Sequence, residues 1–225
     1  MPGFITKIPK AQKHTPGLFA SISNALLDLI FPPRCEHCNR VDFRWCDDCL
    51  ADLNALPIDL QERRILNQLS AASTGSHIGL LQHAIHALKY ANVPTLSEPL
   101  AERLINALHQ LGWAVDCSVP VPMHPTRLAQ RGYNQAALLA HHLLLPMIDG
   151  LERIRETRSQ VGLTREERLQ NVQGAFLAKE DFNEKTVLLI DDVLTTGATL
   201  IGCTQALYQA GAHQVFALTV SQANS

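Results

Sequence analysis

From His77 onward, short apolar runs alternate with segments whose apolar positions recur every three or four residues. That alternation predicts strands and helices taking turns in an α/β sheet. In residues 99–111 the apolar positions Leu100, Leu104, Ile105, Leu108 and Leu111 share one helical face, and Gly112 ends the run. Asn134 is placed to cap a helix over 135–145, which must stop before Pro146. A third helix over 199–210 puts Leu200, Cys203 and Leu207 on one side and ends at Gly211. Strands are expected at 115–121, 187–190 and 215–220. Before His77 the pattern changes. Residues 1–17 show no periodicity, 18–30 read as a short amphipathic helix, and a cysteine cluster follows. Residues 57–76 read as a polar linker, helical around 60–69 and ending in the breaker-rich Ser73-Thr74-Gly75-Ser76.

Composition narrows the function classes. Nearly half of the 225 residues are apolar, enough for a sizeable core, and the net charge of −2 argues against a globally basic nucleic-acid binder. Few aromatic residues weaken any base-stacking platform. The apolar stretch after residue 17 falls short of the ~20 residues of a membrane span and is interrupted by Asn24 and Asp28. With no export signal read in the sequence, a cytoplasmic location is expected, and the six cysteines are read as thiols or ligands rather than disulfides.

The most informative stretch is Val187-Leu-Leu-Ile-Asp191-Asp192-Val-Leu-Thr195-Thr196-Gly197-Ala198-Thr199. Four apolar residues suit a strand buried on both faces, and two carboxylates follow where ligands bind in open α/β sheets. The loop then runs into a helix whose first N–H groups lack intrahelical partners and sit at the positive end of the dipole. Gly197 is expected to let the main chain approach a ligand, with Thr195, Thr196 and Thr199 adding hydroxyls. A phosphate alone would be repelled by Asp191 and Asp192, so these acids are assigned to vicinal hydroxyls. Phosphate cradle and diol acceptors together point to a 5′-phosphorylated ribose. Three other readings of this stretch remain: a metal-only carboxylate pair, a capped strand–turn–helix without ligand, and the magnesium-holding strand of a P-loop NTPase. The last lacks its upstream G-x-x-x-x-G-K-[ST].

This stretch resembles the PRPP (phosphoribosyl pyrophosphate) signature of type I phosphoribosyltransferases. More narrowly, the chain resembles the ComF family of phosphoribosyltransferase-like competence proteins. The narrower likeness rests on Leu88-Lys89-Tyr90, Val119-Pro-Val-Pro-Met-His-Pro-Thr-Arg127, Arg131-Gly-Tyr-Asn-Gln135, Gln160-Val-Gly-Leu163 and Asn171-Val-Gln-Gly-Ala-Phe176, in that order. The resemblance implies an open, mainly parallel sheet flanked by helices, with a small N-terminal cysteine module. It implies PRPP or a related phosphoribosyl compound as ligand, bound with Mg²⁺ through Asp191, Asp192, Thr195, Thr196, Gly197, Ala198 and Thr199. It also implies a pyrophosphate-contacting loop at 122–127. His124, Arg127 and Arg131 are the candidates there and Lys89 a further one, against the alternatives of a stiff surface turn and an exposed helix lysine. A loop over 151–169, with five arginines and four glutamates, would close over the substrate and bring Arg153, Arg155, Arg158 or Arg168 to the leaving pyrophosphate. The enzyme class, if the chain turns over, is pentosyltransferase. The implied role is uptake or processing of transforming DNA, with single-stranded DNA and a competence helicase as partners. A metabolic phosphoribosyltransferase and a nucleic-acid-binding adaptor without turnover are the alternatives. On the PRPP reading, Thr196→Val with Gly197→Val should abolish binding and leave the fold intact.

Cys35-Glu-His-Cys38 and Cys46-Asp-Asp-Cys49 are two C-x-x-C pairs, the spacing of a closed tetrahedral Zn²⁺ site. A redox or free-thiol cluster, or His37 replacing one cysteine, are the alternatives. Trp45 is expected beside the metal, and Cys117 and Cys203 in the core. The expected organisation is a loose tail (1–17), a helix plus zinc-knuckle module (18–56), a linker (57–76) and a phosphoribosyltransferase-like domain (77–225).

Overall fold

The computed structural model describes residues 32–66, 68–155 and 174–223. The expected helix over 18–30, together with Arg158, Gln160, Arg168 and Asn171, lies outside them. The described residues contain helices α1 (Asp47–Ala55), α2 (Gly79–Tyr90), α3 (Ser97–Leu111), α4 (Pro125–Arg131), α5 (Gln135–His142) and α6 (Ala198–Gln209). The strands are β1 (Gln61–Ile65), β2 (Leu69–Ser73), β3 (Cys117–Pro120), β4 (Leu151–Arg153), β5 (Phe176–Ala178), β6 (Thr186–Leu194) and β7 (Gln214–Gln222). The main sheet has the order β1-β2-β7-β6-β3, parallel except for the β1–β2 hairpin, and β4–β5 form a separate antiparallel pair.

Alternation along the central strands builds two cores. On β6 and β7, Val187, Leu189, Val215 and Ala217 face a cluster containing the Leu200, Cys203 and Leu207 stripe of α6. Leu188, Ile190, Leu218 and Val220 face the other side, where Ile85 and Leu88 of α2 join Leu100 and Leu104 of α3 and Leu139 of α5. Both expected core cysteines are buried. Gly112 ends α3 with φ 64°, and Asn134 Oδ1 accepts from Ala136 N at 3.0 Å to cap α5.

Three elements depart from expectation. The linker helix around 60–69 is instead the β1–β2 hairpin, so this segment supplies an edge of the sheet. Its alternating Glu62 and Arg64 against Gln61, Arg63 and Ile65 suits a solvent-facing edge strand more than an apolar-faced helix. β6 runs four residues beyond 187–190, because β7 reaches far enough to pair Asp191 with Thr219 and Leu194 with Gln222. Helix α5 stops at His142 rather than 145. Residues 146–148 leave it to cover the exposed edge of β3, where Ser118 N donates to Pro146 O and Ile148 N to Ser118 O, both at 2.9 Å.

Candidate functional site

Consecutive strand residues point to opposite faces, so the two acids at the end of β6 meet different neighbours. Asp192 turns toward α2, where Lys89 Nζ lies 2.8 Å from its Oδ1, and its side chain is 5% exposed. Its Oδ2 is buried without a hydrogen-bond partner, an acceptor whose desolvation is uncompensated. Asp191 turns toward α6. Burial pushes its carboxyl up to about 7, reinforced by the neighbouring Asp192 charge, against weaker opposing pulls from Lys89, the Asp192 amide and Arg153.

A carboxyl raised in this way holds its proton more tightly folded than unfolded. Its contribution to stability is therefore complete below the ordinary value of 3.8 and is lost as pH rises through about 7. Asp191→Asn should remove that part of the decline. The expected result is a smaller drop in melting temperature from pH 5.5 to 8 in the variant than in the parent chain. Equal drops would place the proton elsewhere.

After β6 the chain turns through Thr195, Thr196 and Gly197 into α6. Gly197 occupies the N-cap with φ 79°, and no side chain caps the helix, so its first amides are left for another acceptor. Thr196 Oγ1 is buried and likewise lacks a hydrogen-bond partner. An orphaned hydroxyl beside an uncapped helix start fits an anion. Gly197 also has a packing part. A Cβ there would lie 2.5 Å from Ile65 Cδ1 of β1, in a left-handed backbone that β-branched residues avoid. The glycine therefore lets the loop pack on the edge hairpin, and Gly197→Val would disturb the fold instead of testing binding alone.

Both aspartates and Thr199 line a crevice of about 180 Å³ together with Lys89, Arg127, Arg131 and Arg153. Arg153, on β4, also lies over the Phe176 ring, 5.6 Å from its centroid. Arg155 is exposed and is not among the lining residues. His124 is not among them either. Its Nδ1 accepts from Thr126 N at 3.4 Å as the N-cap of α4, which accounts for the residue structurally. Tyr90, Asn134 and Gln135 line the crevice without having been singled out as ligand contacts. Asn134 is doubly committed, because its Nδ2 also donates to Val121 O at 2.9 Å and so ties α5 to the end of β3.

The four clustered cysteines bring all their sulfurs within 4.8 Å of one another. Four thiolates at a zinc–sulfur distance of ~2.3 Å would stand about 3.8 Å apart at the corners of a tetrahedron. Cys35 Sγ to Cys49 Sγ is 3.8 Å and Cys38 Sγ to Cys46 Sγ is 3.5 Å, so these two pairs match the edge of a zinc tetrahedron and the set is compatible with zinc. Burial pushes the Cys35 thiol up, but hydrogen bonds from the backbone of Cys38, His37 and Cys46 outweigh it and hold the thiol down to about 6. Cys49 is pushed up by burial and by hydrogen bonding to the other three sulfurs. His37 is turned to α2 instead, its Nδ1 2.8 Å from His83 Nδ1, and Trp45 packs against the cysteines.

Among the described residues no helix is long and apolar enough to cross a membrane. The phosphoribosyl transferase domain family matches residues 128–225. Competence protein F of Haemophilus influenzae is 33% identical over 155 residues, 63% of this chain and 67% of that protein. Competence protein ComFC of Streptococcus pneumoniae is 38% identical over 97 residues, 43% of this chain and 44% of that protein. DNA utilization protein YhgH of Escherichia coli K12 is 27% identical over 195 residues, 80% of this chain and 85% of that protein. With the mainly parallel sheet, the uncapped loop after β6 and the N-terminal cysteine cluster, these matches place the chain in the ComF family of competence-associated, phosphoribosyltransferase-like proteins.

Proposed function

We propose that the crevice at the end of β6 binds PRPP, with Mg²⁺, in the cytoplasm. The observation that carries this reading is the pairing of unmet donors and acceptors: the uncapped start of α6 and the Thr196 hydroxyl on one side, Asp192 Oδ2 on the other. The 5′-phosphate takes the amides of Ala198 and Thr199 with the hydroxyls of Thr195, Thr196 and Thr199. The ribose diol meets Asp191 and Asp192. Lys89 holds Asp192 in place, and with Arg127, Arg131 and Arg153 it supplies positive charge along the crevice where the pyrophosphate lies. Mg²⁺ would neutralise pyrophosphate charge. If the chain turns over, an acceptor's electron pair bonds to C1 as the C1–O bond to pyrophosphate breaks, and these cations stabilise the departing anion. The four cysteines hold a structural zinc. The biological setting proposed is the handling of transforming DNA.

Calorimetric titration with PRPP and Mg²⁺ tests the ligand. A hydrogen bond to a charged group is worth roughly 1.5–3 kcal/mol, so Thr196→Val should weaken binding by about ten- to a hundredfold while the melting temperature stays close to that of the parent. Unchanged affinity in Thr196→Val and in Asp192→Asn would remove the site from this crevice. A pyrophosphate assay on the same samples separates binding from turnover.

A further inference from the structure

Where the cysteine module meets the helical layer, a groove of about 390 Å³ runs between α1 and the start of α3. Asp47 and Leu50 stand three apart on α1 and so share a face, while Glu98, Pro99 and Glu102 supply the opposite wall from α3. The floor is apolar: Trp45, Leu50, Val93 and Leu96. Trp45 and Leu50 are half-buried, packed on the larger core on one side and lining the groove on the other. The carboxylates of Asp47, Glu98 and Glu102 form an exposed rim, and among the described residues no cation lines the groove.

An apolar floor inside an acidic rim calls for an apolar segment that brings positive charge. Residues 1–31 of this chain have that chemistry. They carry Lys7, Lys10 and Lys13 against a single acid, Asp28. At helical spacing over 18–30, Leu18, Ile22, Leu26 and Leu29 fall on one face, and Ser21, Asn24 and Asp28 on another. The segment also joins the described chain at the right place. Pro33 O accepts from Asp42 N at 2.9 Å, and Trp45 is three residues beyond Asp42, so the tail enters within about 15 Å of the groove. A helix over 18–30 would be about 20 Å long, enough to run back along it. Val41 and Phe43, beside the entry point, are exposed and extend the apolar path.

We propose that residues 18–30 dock in this groove of the same chain as an amphipathic helix. Its apolar face covers Trp45, Leu50, Val93 and Leu96, and the lysines that precede it meet the carboxylate rim. The segment is a strap that ties the cysteine module to α3, beside the module's contacts with α2. A second apolar concavity, of about 470 Å³ between the end of α3 and residues 143–145, suits the tail less well, because no acid lines it among the described residues.

Hydrogen exchange on the full chain tests the strap. A helix this short is marginal alone in water, so its amides gain lasting protection only by docking. Amides of 18–30 should exchange at least about tenfold more slowly than in a free peptide, and Ile22→Asp with Leu26→Asp should return them to free-peptide rates while β6 and β7 keep their protection. Glu98→Lys with Glu102→Lys, both on the exposed rim, should lower the protection about three- to tenfold. Leu144→Glu, in the second concavity and 88% exposed, should leave it unchanged. Trp45 gives a second readout, since Trp113 is the other tryptophan: in a Trp113→Phe chain, acrylamide should quench Trp45 more strongly once Ile22→Asp and Leu26→Asp are added. The proposal is overturned if 18–30 exchange at free-peptide rates in the parent chain, which would leave the groove to another partner. It is equally overturned if reversing the rim charges changes nothing, or if Leu144→Glu removes the protection. Protection that falls on dilution would assign the groove to the tail of a second copy and overturn it as well.

Discussion

Chelating the zinc proposed for the four cysteines should unfold the segment from Pro32 to Cys46 while leaving the main sheet folded. The packing explains the size of the effect. The cluster there consists of Cys35, Cys46 and Cys49 with Trp45 against it, and Leu53 of α1 already belongs to the larger core. Three cysteines and one aromatic ring cannot offset the ordering of some fifteen residues at about 1–2 kcal/mol each, so the metal has to supply the difference. Structural zinc contributes about 10–16 kcal/mol in small isolated modules, which is of the required order. Hydrogen exchange measures it. Amides that close the knuckle, such as Cys35 N to Arg40 O and Asn39 N to Cys35 O, should lose protection on chelation, while those of β6 and β7 keep theirs. Equal protection at the knuckle with and without chelator would show that the thiols pack stably by themselves. Docking on α2 should weaken in parallel, because His37 meets His83, Glu36 meets His86 at 3.2 Å and Arg44 donates to Ala91 O at 3.3 Å.

Arg103→Met should lower the unfolding free energy by about 3 kcal/mol, from the loss of charge-assisted hydrogen bonds and the buried acceptors left behind. Arg103 is 6% exposed on α3, and burial draws its pKa down. It donates to Leu56 O at 2.6 Å, Pro57 O at 3.1 Å, Thr74 O at 3.2 Å and Thr74 Oγ1 at 3.3 Å. The acceptors are carbonyls and a hydroxyl, so the side chain works as a clamp on the backbone and not as half of an ion pair. It grips the chain just before β1 and just after β2, holding both ends of the hairpin against the helical layer. Urea unfolding checks the expectation. A loss below about 0.5 kcal/mol would mean that methionine packing and entering water replace the clamp.

The difference between those two features also marks what could be read in advance. The cysteine knuckles, the Asn134 cap, the Gly112 terminus and the hydroxyl-rich loop after an apolar strand are local motifs. Their chemistry lies within a few residues, and spacing is enough to find them. The β1–β2 hairpin is not local in this sense. Gln61–Ile65 and Leu69–Ser73 carry too few apolar residues to declare a strand, and they become one because β7 offers a parallel edge. The role of Arg103 is invisible for the same reason, since a lone arginine on a helix says nothing of the carbonyls it will meet.

Within the candidate site, sequence determined the residue types: two acids, a run of hydroxyls, a glycine and nearby cations. Tertiary structure decided how they are divided. Strand alternation sends Asp191 to α6 and Asp192 to Lys89, and the packed Ile65 gives Gly197 its reason. The fold also assigns His124 to a helix cap and sets Arg131 on Tyr90. Short-range steric and hydrogen-bonding preferences are written residue by residue. Contacts between distant segments depend on which faces the sheet brings together, and no window of sequence contains that information.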